Sequence, residues 1–256
     1  MLKKRIIPIL LLKDGRMIKT ITFDKNNYRD VGNPLTTAKI YSAQWADELI
    51  FLDIEASEND RGTLLDIVKE VSEECFMPLG VGGGIRTLDD IRVLLCAGAD
   101  KVIINTSAFE DENFITSAAE KFGCSTIVVS IDAKKKSDGV YEVYVRGGTK
   151  ATGLDPVQWA KTVERRGAGE IIINSMNNDG VMEGMDIELI KSVTNAVNIP
   201  VIAVGGVGHL QDFQKGFEDA GASAVAAGSI FPFTDQNIIK TRRFLYDAGV
   251  SVRHYR

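Results

Sequence analysis

The sequence predicts an α/β protein, a (β/α)8 TIM barrel with a two-fold half-barrel repeat, and three observations support this fold class. The chain has 256 residues, and a barrel of this class takes about 250. Eight short apolar runs alternate with segments of helical periodicity, which favours a parallel sheet with helices outside it. Similar residues also recur at matching positions in the two halves of the chain.

The eight apolar runs are the predicted strands of the barrel. They lie at residues 5–12, 49–54, 79–82, 101–104, 126–132, 170–174, 200–205 and 223–227. They are continuously apolar rather than alternating, as expected of a sheet that is covered on both faces. Between them, residues 89–96 and 186–193 carry apolar side chains at helical spacing, and Thr87 is placed to cap the first of these helices.

An internal repeat divides the chain into halves. Val81-Gly82-Gly83 recurs 123 positions later as Val204-Gly205-Gly206, and Ala97-Gly98-Ala99 recurs at the same distance as Ala220-Gly221-Ala222. A repeat of this length indicates two half-barrels rather than a solenoid. We therefore expect one domain over residues 1–256, with half-barrels at about 1–124 and 125–256.

Composition excludes several classes of protein. A net charge of −5 argues against nucleic-acid binding, and no apolar run approaches the roughly 20 residues that a membrane span needs. Three scattered cysteines fit a reducing compartment, so a cytoplasmic localisation is predicted. Because the chain has only two histidines, a site built on several histidines is excluded, and neither a metal nor a cofactor is predicted.

Glycine-rich turns follow corresponding strands in the two halves. Gly82-Gly83-Gly84 and Gly205-Gly206 each lie between a strand and a helix, and the next strands end in Asn105-Thr106 and Gly228-Ser229. Backbone N–H groups at such turns can bind anions, so the pair predicts two phosphate sites across one barrel mouth. The alternative is that these glycines only make tight turns between strand and helix.

Carboxylates at strand ends are candidates for acid–base chemistry. Asp132 and Asp53 each end a buried run, and Asp179 follows the sixth run. Partial burial raises the pKa of a carboxyl group toward the range that general acid–base catalysis needs. The alternative for each aspartate is a solvated carboxylate that caps the next helix.

Charged residues begin four of the predicted strands. They are Arg5, Glu48, Lys101 and Glu170. Strand starts surround the opposite end of a barrel from its active face, so these two cations and two anions can meet on the axis. Burial there requires that they pair. Four separate, solvated charges are the alternative.

Motifs along nearly the whole chain resemble the cyclase subunit of imidazole glycerol phosphate synthase, the HisF family. The most specific are Lys13-Asp14-Gly15-Arg16 with Lys19, Phe51-Leu52-Asp53-Ile54, Val81-Gly82-Gly83-Gly84-Ile85, Gly98-Ala99-Asp100-Lys101-Val102 and Gly167-Ala168-Gly169-Glu170-Ile171. The resemblance implies a barrel that receives ammonia from a separate glutaminase at the strand N-terminal face. It also implies that ammonia is added to a phosphorylated ligand, a bisphosphate ribulosyl nucleotide, at the mouth.

The resemblance assigns a role to each candidate residue. It implies an ammonia gate of Arg5, Glu48, Lys101 and Glu170; a partner-interface charge at Asp100; catalytic roles for Asp132 and Lys19; one phosphate site at Gly84, Asn105 and Thr106; and a second at Asp179, Gly180, Gly206, Gly228 and Ser229. Where the family has its first catalytic aspartate, however, this chain has Leu11. Leucine cannot transfer a proton, so the resemblance is incomplete at the mouth.

Leu11 favours one of three functional hypotheses. The first is a HisF-like barrel that passes ammonia on for amidation of a surface sugar, with a separate ATP-dependent amidotransferase. The second is a true cyclase of histidine biosynthesis. The third is a non-catalytic barrel that only activates its glutaminase, against which Asp132, Lys19 and the glycine-rich turns argue.

Overall fold

Eight parallel strands close into a barrel in the computed structural model, which describes residues 3–24, 27–54 and 62–253. The described ranges contain twelve strands in all, which are β1 (Arg5–Lys13), β2 (Arg16–Thr20), β3 (Tyr28–Gly32), β4 (Leu49–Asp53), β5 (Leu79–Gly82), β6 (Lys101–Ile104), β7 (Ile127–Lys135), β8 (Tyr141–Val145), β9 (Lys150–Ala151), β10 (Glu170–Ser175), β11 (Val201–Val204) and β12 (Ala224–Ala227). The barrel order is β1-β4-β5-β6-β7-β10-β11-β12, and β12 pairs with β1 to close it. The predicted fold class is confirmed.

Helices cover the outside of the barrel between its strands. They are α1 (Pro34–Ala43), α2 (Gly62–Glu74), α3 (Leu88–Cys96), α4 (Thr106–Glu110), α5 (Glu112–Phe122), α6 (Pro156–Arg165), α7 (Ile187–Thr194), α8 (Leu210–Glu218), α9 (Ile230–Phe233) and α10 (Ile238–Asp247), with a 3-10 turn at Cys124–Thr126. No helix in the described part of the chain is long and apolar enough to cross a membrane.

The repeat is visible in how two corresponding helices begin. Thr87 caps α3, as predicted, and its backbone N–H donates to Asp90 at 2.8 Å. In the other half, the backbone N–H of His209 donates to Asp212 at 2.9 Å at the start of α8. A carboxylate that accepts from the chain just before a helix satisfies donors that would otherwise lack a partner.

Two hairpins that the sequence analysis did not predict extend the barrel wall. β2 pairs antiparallel with β1 and with β3, whereas β8 pairs antiparallel with β7 and with β9. Both hairpins continue from the C-terminal ends of barrel strands. They therefore build up the rim of the mouth, where a barrel of this class has its active site.

The interior is layered because side chains alternate along each strand. Ile50, Ile103 and Ile172 belong to the inner apolar cluster, and each lies two residues after a charged residue at the start of its strand. Two residues further on are Leu52, Asn105 and Asn174. The barrel thus has a charged end, an apolar middle and a mixed mouth.

Candidate active site and charged ring

The four charged residues at the strand starts form a closed ring of alternating sign. Arg5 Nη1 lies 2.8 Å from Glu48 Oε2, and Arg5 Nη2 pairs with Glu170. Lys101 Nζ lies 2.8 Å from an oxygen of each glutamate. Four separate, solvated charges were the alternative, and these ion pairs exclude it.

The charged ring is mostly removed from solvent. The side chains of Glu48 and Glu170 are 3% and 6% exposed, and those of Arg5 and Lys101 are each 19% exposed. Burial lowers the pKa of Arg5, but hydrogen bonds and charges from Glu170 and Glu48 outweigh it, so its pKa is raised. The two glutamates therefore stabilise the charged form of Arg5 more than its burial disfavours it.

Asp132 lies at the mouth, at the other end of the barrel, and is 8% exposed. Asn105 Nδ2 donates to its carboxylate at 3.1 Å, and Asn174 Nδ2 approaches it at 3.5 Å. Burial, followed by the charge of Asp179, raises the pKa of Asp132 to about 7, although both amides oppose the rise. A carboxyl group with this pKa can both accept and donate a proton near neutral pH.

Lys19 reaches the same mouth from β2. Its Nζ donates to the carbonyl oxygen of Ile9 at 2.7 Å and lies against Gly228, where a Cβ atom would overlap it. Burial lowers the pKa of Lys19 to about 8, and the charge of Asp179 opposes this shift. A Cβ atom at position 228 would therefore displace the end of the Lys19 side chain, a constraint that was not evident from the sequence.

Asp179 is brought to Lys19 by backbone packing. The N–H of Thr22 donates to the carbonyl of Asp179 at 2.9 Å, and a Cβ atom at Gly180 would overlap the carbonyl oxygen of Thr20. Burial raises the pKa of Asp179 to about 6, and Lys19 counteracts the rise. The mouth thus holds three ionisable groups whose pKa values lie between about 6 and about 8, and two of them, Lys19 and Asp132, are buried.

The glycines of both turns have a structural reason of their own. Gly83 has φ +115° and Gly206 has φ +91°, and Cβ atoms there would overlap the carbonyl groups of Asp53 and Gly184. Gly84 also has a positive φ of +60°. These contacts support the tight-turn alternative for Gly83 and Gly206, so phosphate binding at the two turns stays a prediction.

The hydroxyl of Thr106 already has a protein partner. Its Oγ1 accepts the backbone N–H of Arg146 at 3.0 Å, which fastens the turn between β8 and β9 to the start of α4. Arg146 also pairs with Glu110 at 2.7 Å. The turn residues Gly147-Gly148 were the sequence signal for the hairpin of β8 and β9.

Ser229, the corresponding hydroxyl of the second predicted phosphate site, precedes α9, and its side chain does not cap this helix.

The mouth has a polar half and an apolar half. Asn105 directly follows β6, and Asp132 and Asn174 lie on the neighbouring strands β7 and β10. Leu11 pairs in register with Leu52 on the other side, where Val204 also packs against the inner cluster. Leu52 faces inward, so Asp53 takes the other side of its strand. Asp53 therefore ends its strand, as predicted, but on the opposite side of the strand from the one that Asp132 occupies on β7.

Asp100 lies beside the charged ring and remains exposed. Its Oδ2 accepts the backbone N–H of Leu79 at 2.8 Å, and its own N–H donates to the carbonyl of Leu79 at 2.8 Å. One carboxylate oxygen of the predicted interface charge therefore has a role within the chain. It joins the start of β5 to the start of β6.

The fold, the charged ring and the aspartates at the mouth together define a half-barrel-repeat (β/α)8 protein with clusters of ionisable groups at both ends. A family model described as "Histidine biosynthesis protein" matches residues 5–237, and the chain belongs to this family. It is 47% identical over 253 residues to "Imidazole glycerol phosphate synthase subunit HisF" of Alkaliphilus metalliredigens (strain QYMF), covering 99% of this chain and 100% of that protein. The predicted resemblance is confirmed.

Proposed function

We propose that this chain is the ammonia-using barrel of a glutamine-dependent amidotransferase complex that serves surface-sugar amidation. In this proposal, a glutaminase docks at the strand N-terminal face and ammonia crosses the barrel to a phosphorylated acceptor at the mouth. The observation that carries the proposal is the charged ring, because four paired charges on the axis offer no benefit to stability that apolar side chains would not also give.

The interior supports transit of neutral ammonia. Above the charged ring, the inner cluster is apolar, so an ammonium ion would lose its hydration there at a cost of several kcal/mol. At Gly80, a Cβ atom would lie 3.4 Å from Ile50 and Ile103 and 3.7 Å from Glu48 Oε1. The missing side chain leaves space directly next to the ring, where ammonia would enter.

The mouth supports nitrogen transfer by proton movement and charge. With a pKa of about 7, Asp132 is suited to take the proton that ammonia loses when it forms a bond to carbon. Lys19, held at Gly228 beside the second predicted phosphate site, supplies positive charge for an anionic acceptor. Asn105 keeps the carboxylate oriented.

Leu11 supports an acceptor other than the substrate of the cyclase reaction. Ring closure in the family calls for a proton-transferring group on each side of the mouth, and here Leu11 and Leu52 make one side apolar. The acceptor would instead be activated by a separate ATP-dependent amidotransferase. Loss of a positioned acid or base typically lowers a rate by about 10²–10⁴.

A true cyclase of histidine biosynthesis is the second candidate. The identity of 47% to a protein named as a synthase subunit favours it, as do the buried Asp132 and Lys19. A third candidate, a barrel that only activates its glutaminase, gives no reason for the burial of Asp132 and Lys19 at the mouth.

One assay separates these candidates. The isolated barrel is supplied with an ammonium salt and the bisphosphate ribulosyl nucleotide, so that no glutaminase is needed. We expect turnover at least 10²-fold below that of a family cyclase, and Leu11→Asp should raise it if the rest of the mouth is competent. Turnover by the unmodified chain at the level of a family cyclase would establish the second candidate and overturn the sugar proposal.

A second assay tests the complex itself. The barrel is mixed with a glutaminase of the Cys-His-Glu type, and glutamine hydrolysis is followed with and without the barrel. Stimulated hydrolysis is expected. If hydrolysis is unchanged and the two proteins do not associate, the proposed partner is wrong.

A further inference from the structure

Phe76 is the most exposed large apolar side chain in the described ranges. It is 92% exposed, whereas the next such side chain, Val140, is 54% exposed. Phe76 lies between the end of α2 and the start of β5, which places it on the strand N-terminal face. Trp45, 48% exposed, lies on the neighbouring connection from α1 to β4 at the same face.

The short connection that carries Phe76 is held at both ends. On one side, Cys75 is buried and its N–H donates to Val71 at 2.8 Å. On the other side, the carbonyl of Pro78 accepts the N–H of Leu49 at 2.9 Å. Phe76 is therefore displayed from a fixed backbone, so binding would lose little conformational freedom there.

The same connection is tied to the charged ring. Leu79 exchanges two hydrogen bonds of 2.8 Å with Asp100, which directly precedes Lys101. Phe76 is three residues before Leu79, a span of at most about 11 Å. A partner that covers the charged ring should therefore also come close to Phe76.

We propose that Phe76 is the apolar anchor by which the glutaminase subunit docks on the strand N-terminal face, inserting into an apolar pocket of that partner. The inference rests on the proposed function and adds to it the residue that supplies affinity. Charged ring members cannot supply it, because their charges are already paired within the chain. Buried aromatic side chains commonly dominate such interfaces.

The test measures the dissociation constant of the barrel for the glutaminase by calorimetry, with Phe76→Ala and Phe76→Leu. Because Phe76 is exposed, neither change removes a core contact. Phe76→Ala should weaken binding about 10- to 100-fold, or about 1.4 to 2.8 kcal/mol at 1.4 kcal/mol per tenfold, and Phe76→Leu should recover most of it. Val140→Ala, an exposed apolar change at the mouth end, is the matched control and should leave binding unchanged.

The outcomes separate this inference from the function on which it rests. Binding of Phe76→Ala within twofold of the unmodified chain, or an equal loss in Val140→Ala, overturns the anchor and leaves the glutaminase complex standing. Self-association of the barrel that Phe76→Ala abolishes, without an effect on glutaminase binding, assigns the side chain to a second copy and also overturns it. Failure of the unmodified chain to bind any glutaminase overturns both proposals.

Discussion

Replacing Asp132 by asparagine should stabilise the folded barrel at alkaline pH and have progressively less benefit as the pH falls. The folded-state pKa of Asp132 is about 7, above the ordinary value of 3.8, because the carboxyl group is buried and lies near the charge of Asp179. Because folding raises this pKa, the folded state binds the proton more tightly than the unfolded chain does. The contribution of Asp132 to stability is therefore greatest below pH 3.8, where the carboxyl group is protonated in both states. That contribution is lost as the pH rises through 7.

The magnitude follows from the two pKa values. Between pH 5 and pH 8 the unfolded chain carries an ionised Asp132 throughout, whereas the folded chain must lose its proton at about pH 7. Each pKa unit is worth 1.36 kcal/mol, so the two units from pH 5 to pH 7 amount to about 3 kcal/mol. Asparagine nearly preserves the shape but does not ionise, so the variant lacks this loss.

The assay is urea unfolding of both proteins at pH 5 and pH 8, followed by tryptophan fluorescence. The stability difference between variant and unmodified chain should grow by about 3 kcal/mol from pH 5 to pH 8. Any fixed cost of the new amide beside Asn105 cancels in this comparison. Asp66→Asn, on an exposed part of α2, controls for the substitution itself. A difference that changes by less than about 0.5 kcal/mol would refute the argument that burial controls this carboxyl group.

Three further predictions concern the charged ring, Lys19 and the glycine turns. Lys101→Met leaves two buried glutamates with one cation, so the free energy of unfolding should fall by about 3 kcal/mol. More glutamine should also be hydrolysed per nitrogen transferred, and an unchanged ratio of the two would argue against an ammonia gate. Gly228→Ala should displace Lys19 and raise its pKa above about 8, measured by ¹⁵N NMR of Nζ; an unmoved resonance would contradict the overlap. Crystals soaked in phosphate should show density near Gly84 and near Gly206, and ordered but empty turns would remove the phosphate sites.

The eight barrel strands could be predicted from the sequence because their cause is local. A strand covered on both faces must be continuously apolar, and that pattern appears wherever the strand lies in the chain. The predicted run at residues 79–82 agrees with β5, and the run at 170–174 agrees with β10 to within one residue. Thr87 was identified as a cap for the same reason, since the cap bonds groups three residues away.

The hairpins and part of the mouth were missed because their patterns are weaker. β3 is largely exposed along its length, so it has no apolar run to reveal it. Asn174 follows Glu170 by four residues, as Asn105 follows Lys101, and this period-two spacing was the available signal. Leu11, in contrast, could be interpreted from the sequence alone. Its inability to transfer a proton depends on the residue type and not on its neighbours.

The sequence alone determined which residues begin and end the barrel strands, and therefore which charges lie at one end and which aspartates at the other. Only the tertiary structure decided which of them meet. Arg5 and Glu170 are 165 residues apart and pair because β10, β11, β12 and β1 lie side by side around the barrel. Lys19 and Gly228 come into contact for the same reason. Contacts of this kind depend on the closure of the barrel. No local sequence pattern encodes that closure, because strand register and sheet curvature are set by the packing of the whole sheet.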